Sequence, residues 1–344
     1  MKILVGISGG VDSAYTAKKL LEQGHEVEGA VLIMHEHTEV SAAREAAASV
    51  GINLHEIDCQ AEFESVKDNF ATEYTNGRTP NPCIICNERV KFKHLYDFAM
   101  KNGFDAIATG HYAKVEKLGQ GSSARYALAI AEDTKKDQTY MLYRLSQDVL
   151  SRLILPLSEG KKEDIREEAD KKGISAAKRS DSQEICFLPE GNYTEYIESV
   201  RGKCEKGSFI DENGGYLGEH KGIIHYTVGQ RKGLGIALGE RVFVTDINAS
   251  DNTVTLSKEY PGHKRVRINE VVYSGMEEPT EIKTLRAMVK LRYSAPLVPA
   301  TACLYPDKKV DIMLEEPQRF SPGQSAVLYV DNHVICGGFI EKQG

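Results

Sequence analysis

A glycine-rich segment near the amino terminus, Ser8-Gly9-Gly10-Val11-Asp12-Ser13, constrains the fold more than any other feature of the sequence. It separates a predicted strand at residues 3–7 from a predicted helix at residues 13–23. At such a turn, backbone amides and the helix dipole converge on an anion, and glycine lets the main chain approach a phosphate. The segment lacks the Gly-Lys-Ser/Thr ending of a Walker loop and the spacing of a dinucleotide fingerprint. We therefore expect a phosphate-binding turn of another kind, at the first crossover of an α/β fold.

The alternation of strands and helices continues after this turn. Predicted strands follow at residues 27–33, 52–57 and 106–109, and predicted helices at residues 40–50 and 61–74. Such alternation indicates right-handed crossovers and a parallel sheet covered on both faces. The charged stretch at residues 145–200 is predicted to be mostly helical and to complete the first domain, residues 1–201.

The second half of the chain is β-rich. Short alternating segments separated by glycine and Asn/Asp turns predict strands at residues 226–228, 241–247 and 253–256. The last 80 residues predict further strands at 271–273, 287–293, 300–305, 309–314, 325–329 and 333–336, a spacing that suits a small barrel. We therefore predict a small central β-rich domain at residues 202–264 and a C-terminal β-barrel domain at residues 265–344.

Composition limits the class of protein. Hydrophobic residues make up 41% of the chain and charged residues 27%, typical of a soluble globular protein. No apolar run approaches the roughly 18 residues that span a bilayer, so we expect a cytoplasmic protein with no membrane partner. The formal charge of −7 gives no global attraction for nucleic acid, so any RNA contact must come from local basic stretches such as Lys161-Lys162.

Seven cysteines are dispersed along the chain, an odd number that argues against a structural disulfide framework. Cys83 and Cys86 form a Cys-x-x-Cys motif after two prolines and before a predicted helix, with Asn87 as its predicted cap. A thiol at a helix N-terminus has its thiolate favoured by the helix dipole. A redox motif or half of a zinc site remain alternatives, although the sequence has no second Cys-x-x-Cys.

Seven blocks of the sequence together resemble the tRNA-specific 2-thiouridylases of bacteria and organelles, members of the N-type ATP pyrophosphatases. They occur in the family's order and extend over essentially the whole chain. The blocks are residues 8–13, 77–87, 109–112, 136–138, 181–187, 229–235 and 321–326. One departure is the segment 35–43, which does not show the paired aspartates that many members have after the second strand.

The resemblance implies an adenine nucleotide alpha hydrolase-like catalytic domain that uses ATP and Mg²⁺. It implies that Cys86 is the nucleophile, that Cys186 carries the incoming persulfide sulfur, and that the two end as a disulfide. ATP adenylates the C2 oxygen of a uracil, which is otherwise a poor leaving group, and sulfur then displaces AMP. The residues implied for ATP are Gly6, Ile7, Ser8, Gly9, Gly10, Val11, Asp12, Ser13, Leu32 and Gly110.

The resemblance also implies a tRNA substrate, modified at the wobble uridine of the anticodon, and a protein that donates persulfide or sulfide. The residues implied to border the target base or contact tRNA are Asn81, Pro82, Cys83, His111, Lys136, Asp137, Gln138, Arg292, Tyr293 and Gln324. A target base must leave its stack to be modified, and exposed aromatic and polar side chains suit such a substrate.

Cys83 stands where many members of the family carry aspartate. Because thiolates are the natural ligands of iron–sulfur clusters, Cys83, Cys86 and Cys186 are an alternative ligand set for a [4Fe–4S] cluster with one open iron. The other four cysteines, Cys59, Cys204, Cys303 and Cys336, are expected to be structural.

Two other functions are compatible with the phosphate-binding turn alone. One is an ATP-dependent amidotransferase or ligase, but the residue after the initiator is Lys2 and offers no glutaminase nucleophile. The other is a non-catalytic RNA-binding protein with a relict nucleotide site, which gives no reason for the cysteines. The sequence therefore favours a sulfur-transferring enzyme.

Overall fold

The computed structural model describes residues 1–121, 124–174, 185–188 and 192–342. Its first sheet is parallel and five-stranded, in the order β3-β2-β1-β4-β7. The strands are β1 (Lys2–Gly6), β2 (Glu26–Ile33), β3 (Leu54–Asp58), β4 (Ala106–Ala108) and β7 (Leu153–Ile154). The predicted parallel sheet is confirmed.

Helices cover both faces of this sheet, as the sequence predicts. In β1, Ile3 and Val5 pack on one side with residues of α1 (Val11–Glu22), α2 (Val40–Val50) and α8 (Lys162–Lys171). Leu4 packs on the other side with residues of α5 (Phe92–Lys101) and α7 (Gln147–Arg152). All three β1 side chains are fully buried, which explains why β1 is a continuous apolar run.

The remaining helices contribute buried residues to this core or to a second apolar cluster. They are α3 (Gln60–Thr75), α4 (Pro82–Cys86), a π-helical turn (Asn87–Lys91), α6 (Thr139–Leu142) and α9 (Tyr193–Arg201). Because α4, the π-helical turn and α5 follow one another without a break, residues 82–101 form one continuous helical segment. Among the described residues, no helix combines the length and apolarity that crossing a membrane requires.

The central part of the chain forms a four-stranded sheet in the order β10-β11-β8-β9. Its strands are β8 (Gly207–Ile210), β9 (Tyr216–His220), β10 (Phe243–Asn248) and β11 (Thr253–Ser257). The predicted strand at 226–228 is wrong, because this segment leaves a 3-10 turn at Ile223–His225 as irregular chain. Tyr226 is buried there and donates a hydrogen bond to the carbonyl of Leu234, so packing explains its apolar character.

The C-terminal part forms a six-stranded antiparallel barrel, as predicted. The strands are β12 (His263–Val272), β13 (Lys283–Lys290), β14 (Val298–Leu304), β15 (Val310–Gln318), β16 (Ser325–Val330) and β17 (His333–Ile340). Pairing of β12 with β17 closes the order β12-β15-β14-β13-β16-β17. The α/β domain adds a hairpin to this sheet, β5 (Lys114–Leu118) and β6 (Arg125–Ala129), through the pair His333 and Ala129.

Candidate functional site

The phosphate-binding turn is held by its own serines. The hydroxyl of Ser13 donates to the carbonyl of Gly10 at 2.9 Å and accepts from the amide of Ser8 at 3.2 Å. Gly10 is the extended residue before α1, and no side chain caps the helix there. The first amides of α1 therefore face the turn without an internal acceptor, which is the arrangement that binds an anion.

Two close contacts position the turn against its neighbours. A Cβ on Gly110, just beyond β4, would lie 2.7 Å from the backbone carbon of Asp12. Gly9 has a left-handed φ of +80°, and a Cβ there would lie 2.8 Å from the Cβ of Ala42 in α2. A side chain at either position would therefore clash with its neighbours. Gly110 lies against the phosphate-binding turn, as expected for a residue that the resemblance assigns to ATP.

Asp12, the second residue of α1, has two charged or polar partners. The hydroxyl of Tyr112 donates to its Oδ1 at 3.0 Å, and the ammonium of Lys162 lies 2.5 Å from its Oδ2. Only 9% of the Lys162 side chain is exposed. The interpretation of Lys162 as an RNA-phosphate contact is therefore wrong, because α8 begins at this residue and directs its side chain into the α/β domain.

The helix that carries the Cys-x-x-Cys motif begins earlier than predicted. Pro82 is its first residue, and the side chain of Asn81 caps it by accepting from the amide of Cys83 at 3.2 Å. Asn87 is not a cap: it is buried within the helical segment and donates to the carbonyl of Met141 at 3.0 Å. The signal that the prediction overlooked is the pair Asn81-Pro82, a capping residue followed by proline at the first helical position.

Cys86 therefore lies one turn inside the helix and not at its N-terminus. Only 4% of the residue is exposed, and its thiol lies 3.7 Å from the sulfur of Met34. Burial raises the pKa of Cys86 to about 11, although the nearby Lys91 ammonium and the backbone N–H of Lys91 oppose this. The expectation that the helix dipole favours this thiolate is wrong, since desolvation dominates.

Three cysteine thiols affect the pKa of the Lys91 ammonium. Lys91 ends the π-helical turn, and the charges of Cys86, Cys83 and Cys186 each raise the pKa of its ammonium against the effect of burial. Cys186 is exposed, yet desolvation still raises the pKa of its thiol. An ionised Cys186 also raises the pKa of Cys86. Packing agrees with this, because Ile185 and Phe187, which flank Cys186, belong to the same apolar cluster as Cys86. Residues 181–184, part of the block around Cys186, lie outside the described residues.

The iron–sulfur ligand set does not fit this geometry. Across the part of the chain that the structure describes, which includes all three cysteines, no group of three or more His, Cys, Asp or Glu side chains is arranged to hold a metal ion. The three thiols interact electrostatically, but their sulfur atoms are not arranged to bind a common metal ion or cluster.

His111 lies next to the same cation. Its Nδ1 is 2.9 Å from the hydroxyl of Thr109, and its ring packs on Phe92. Burial, reinforced by the Lys91 charge, lowers the pKa of His111 to about 3. The imidazole is therefore neutral at physiological pH and acts as a hydrogen-bonding group.

The other residues implied for tRNA differ in how they are placed. Lys136 and Arg292 are exposed. Asp137 is only 5% exposed, and its carboxylate accepts from the Ala131 amide and the Thr139 hydroxyl. The side-chain oxygen of Gln138 accepts from the amide of Tyr112 at 2.9 Å. Asp137 and Gln138 thus fasten the turn that presents Lys136.

Tyr293 and Gln324 belong to the barrel side of the site. Tyr293 is half-buried beside Tyr140, with the Lys290 ammonium over its ring. Gln324 donates to the carbonyl of Thr79 at 2.7 Å, two residues before the Asn81 cap. Gln324 therefore contacts the cysteine segment directly.

The four cysteines that are expected to be structural differ in how deeply they are buried. Cys59 and Cys336 are fully buried, which raises the pKa of each thiol to about 12. Cys204 and Cys303 are half-buried. Cys303 lies in β14, and a Cβ on Gly222 would meet that of Cys204 at 2.5 Å, so packing explains Cys204.

Comparison with known families defines the class of protein. Residues 1–190 match the model described as a tRNA methyl transferase HUP domain, and residues 194–258 match a tRNA methyl transferase PRC-barrel domain. Residues 263–340 match an aminomethyltransferase beta-barrel domain. The order of these three models follows the three parts of the fold.

Whole-length relatives define the family. A tRNA-specific 2-thiouridylase MnmA of Clostridioides difficile (strain 630) is 40% identical over 361 residues, covering 99% of this chain and 98% of that protein. One of Acetivibrio thermocellus is 41% identical over 364 residues, covering 99% of each. The chain therefore belongs to the tRNA-specific 2-thiouridylase family. A solved 4-thiouridine synthetase–RNA complex with bound ATP is 20% identical over 51% of this chain and 42% of that one, with a TM-score of 0.36, too low to support an argument.

Three residues of the site were not singled out in the sequence. Lys91 and Tyr112 lie within or beside motifs, but nothing in the local pattern shows which atoms they face. Lys162 was noticed only as a member of a basic pair. The residues from Glu159 to Asp164 are mostly charged, so no local pattern distinguishes Lys162 from a solvated surface lysine.

Proposed function

We propose that this protein is an ATP-dependent tRNA sulfurtransferase that converts the wobble uridine of the anticodon into 2-thiouridine. One observation carries the proposal: in a chain of this family, Cys86 packs in the same apolar cluster as Ile185 and Phe187, the two residues that flank Cys186. The family relationship supports the substrate, because the relatives bear that activity in their names. A cytoplasmic location and the domain limits 201/202 and 264/265 belong to the same proposal.

The reaction has two stages. The C2 oxygen of uracil attacks the α-phosphate of ATP, pyrophosphate leaves, and the oxygen becomes part of an adenylate. The terminal sulfur of a Cys186 persulfide then bonds to C2 and AMP leaves with the former uracil oxygen. The Cys86 thiolate attacks the inner sulfur, so the two cysteines are oxidised to a disulfide while the transferred sulfur is reduced. A thiol reductant restores the dithiol, and a persulfide-bearing protein reloads Cys186.

The residues divide the work as follows. The amides of the phosphate-binding turn receive the phosphates, Asp12 is the carboxylate suited to Mg²⁺, and the backbone near Leu32 lines the adenine. Asn81, Pro82 and Cys83 border the extruded base, and neutral His111 hydrogen-bonds to the RNA. Exposed Lys136, Arg292 and half-buried Tyr293 bind the rest of the anticodon arm, and the remaining turn residues are Gly6, Ile7, Ser8, Gly9, Gly10, Val11, Ser13 and Gly110.

Substitution of Cys86 tests the proposal. We expect Cys86→Ser to abolish 2-thiouridine formation while tRNA binding stays within about threefold, since a buried serine fills the same space but cannot be oxidised. Nucleoside mass spectrometry of the tRNA product measures the first quantity and filter binding the second. Cys303→Ser, half-buried in the barrel strand β14, is the matched control. Thiolation that persists in Cys86→Ser contradicts the assignment of the nucleophile.

Substrate dependence separates this function from a ligase. We expect pyrophosphate release to require tRNA, whereas a ligase of the same superfamily releases pyrophosphate with a small acid and ammonia. The thiol route further predicts full activity for protein purified anaerobically without iron. Activity that scales with bound iron and sulfide overturns the thiol route and restores the cluster.

A further inference from the structure

Lys162 is a buried cation at the edge of the phosphate-binding turn. It is the first residue of α8, and its backbone amide donates to Asp133 at 3.2 Å, which fixes where the helix begins. The ammonium lies 2.5 Å from Asp12 and 5.7 Å from the centre of the Tyr112 ring. Basic stretches of a surface are normally solvated, so a lysine placed in this way calls for a specific reason.

The ion pair with Asp12 places this ammonium beside the turn. Asp12 is the second residue of α1, whose first amides face the turn without a capping side chain. A buried ammonium needs an anion, and Asp12 supplies it in the structure. A magnesium triphosphate brings both a cation that attracts carboxylates and phosphate oxygens that attract ammonium groups. The two charges of the pair can therefore change partners with no charge left unpaired.

We propose that Lys162 binds the β- and γ-phosphates of ATP, exchanging Asp12 for phosphate oxygen when the magnesium nucleotide enters the turn. This inference rests on the ATP use contained in the proposed function and adds a residue to it. Tyr112 retains its hydrogen bond to Asp12 and holds that carboxylate in place during the exchange. Because Lys162 acts on the outer phosphates, its contribution is specific to the triphosphate and absent for AMP.

Nucleotide binding to purified protein tests this specificity. We expect Lys162→Met to weaken ATP binding about 10- to 100-fold, the range for loss of a charge-assisted contact, and to change AMP binding less than about threefold. Lys162→Arg, which keeps the charge, is expected to recover most of the ATP affinity. Lys171→Met on the exposed face of the same helix is the matched control and should leave both affinities unchanged. Calorimetric titration with ATP and AMP in Mg²⁺ supplies the readout.

Equal losses for ATP and AMP, or no loss for either, overturn the inference, because the ion pair with Asp12 is then only structural. If Lys162→Met does not fold, the wild-type protein still decides the question. An ATP analogue with an acyl group on its γ-phosphate transfers the acyl group to a nearby lysine amine and releases ATP. Peptide mass spectrometry should find the label on Lys162, blocked by excess ATP and not by AMP; label confined to other lysines contradicts the proposal.

The outcomes also separate this inference from the proposed function. Loss of ATP selectivity in Lys162→Met together with a wild-type protein that binds ATP but never thiolates tRNA overturns the proposed function and leaves Lys162 as a phosphate ligand. If Lys162→Met binds ATP and AMP as the wild type does, and the wild type thiolates tRNA, the inference about Lys162 is overturned and the proposed function stands.

Discussion

Sulfur chemistry at Cys86 depends on how much of its thiol is ionised, and two opposing effects set that fraction. Burial disfavours the thiolate and raises the pKa of Cys86 to about 11, while the charge of Lys91 favours it. Lys91 is half-buried at the end of the π-helical turn, five residues after Cys86. Single π-helical turns often occur at functional sites, and here the turn ends at Lys91, whose ammonium and backbone N–H both lower the pKa of the Cys86 thiol. Lys91 is therefore the positioning residue for the nucleophile.

Removal of the Lys91 charge should raise the pKa of Cys86 further. Below that pKa, each unit of increase lowers the thiolate fraction, and so the alkylation rate, about tenfold. We expect Lys91→Met to shift the pH profile of Cys86 alkylation by iodoacetamide to higher pH, and Lys91→Arg to shift it much less. Peptide mass spectrometry follows Cys86 separately from the other cysteines.

Lys93→Met is the control for this experiment, since Lys93 is exposed and pairs with Asp97 on the same helical segment. An alkylation profile that does not move in Lys91→Met would show that the electrostatic role assigned to Lys91 is wrong, whatever happens to activity.

Among the helices and strands, the sequence predicts those with a clear hydrophobic period. It does not predict those whose formation depends on partners far away in the sequence. The strands β1 to β4 and helices α1 to α3 were predictable because short strand-like segments alternate regularly with helical stretches. The hairpin of β5 and β6 was missed because its partner, β17, lies some 200 residues away in the sequence. The pairing of β8 with β11 is likewise non-local, and the π-helical turn leaves no distinct pattern.

The junction between β4 and α1 gives a prediction at this scale. We expect Gly110→Ala to weaken ATP binding at least tenfold, because the new methyl group overlaps the backbone of Asp12 and must displace the start of α1. Displaced amides no longer converge on the phosphates. Titration with ATP measures the effect.

Gly103→Ala is the control, because Gly103 has a left-handed φ of +72° but open space around its Cβ position. It should cost about 1 kcal/mol of stability from backbone strain without altering nucleotide affinity. If Gly110→Ala binds ATP normally, the close packing of the turn is not required for the site.

At the scale of the whole molecule, the barrel and the α/β domain share a sheet, a core and polar contacts. The barrel residues Val327, Tyr329 and Val334 pack within the core that covers one face of the parallel sheet. Arg144 donates to Glu88 in the π-helical turn and to the carbonyl of Glu270 in the barrel. The sequence predicted the barrel but not this attachment, because single side chains that bridge domains have no periodicity.

The segment before the cysteines is also tied to the barrel, and this gives the last prediction. The amide of Thr79 donates to the carbonyl of Pro322 at 2.8 Å, and Gln324 donates to the carbonyl of Thr79 at 2.7 Å. These bonds fix the position of the chain just before the Asn81 cap. Gln324→Ala should therefore loosen the segment that borders the target base. Loss of one such bond is worth about 0.5–1.5 kcal/mol, so we expect kcat for thiolation to fall about 2- to 10-fold.

Two constants distinguish this role from the direct tRNA contact that the family resemblance implies for Gln324. A residue that positions the cysteine segment lowers kcat and leaves the Kd for tRNA nearly unchanged, whereas a residue that binds RNA raises the Kd and leaves kcat. Thr301→Ala, on the exposed face of β14, serves as the control for general effects on the barrel. A Kd that rises in proportion to the lost activity assigns Gln324 to the RNA, and its bond to Thr79 then describes only the unliganded enzyme.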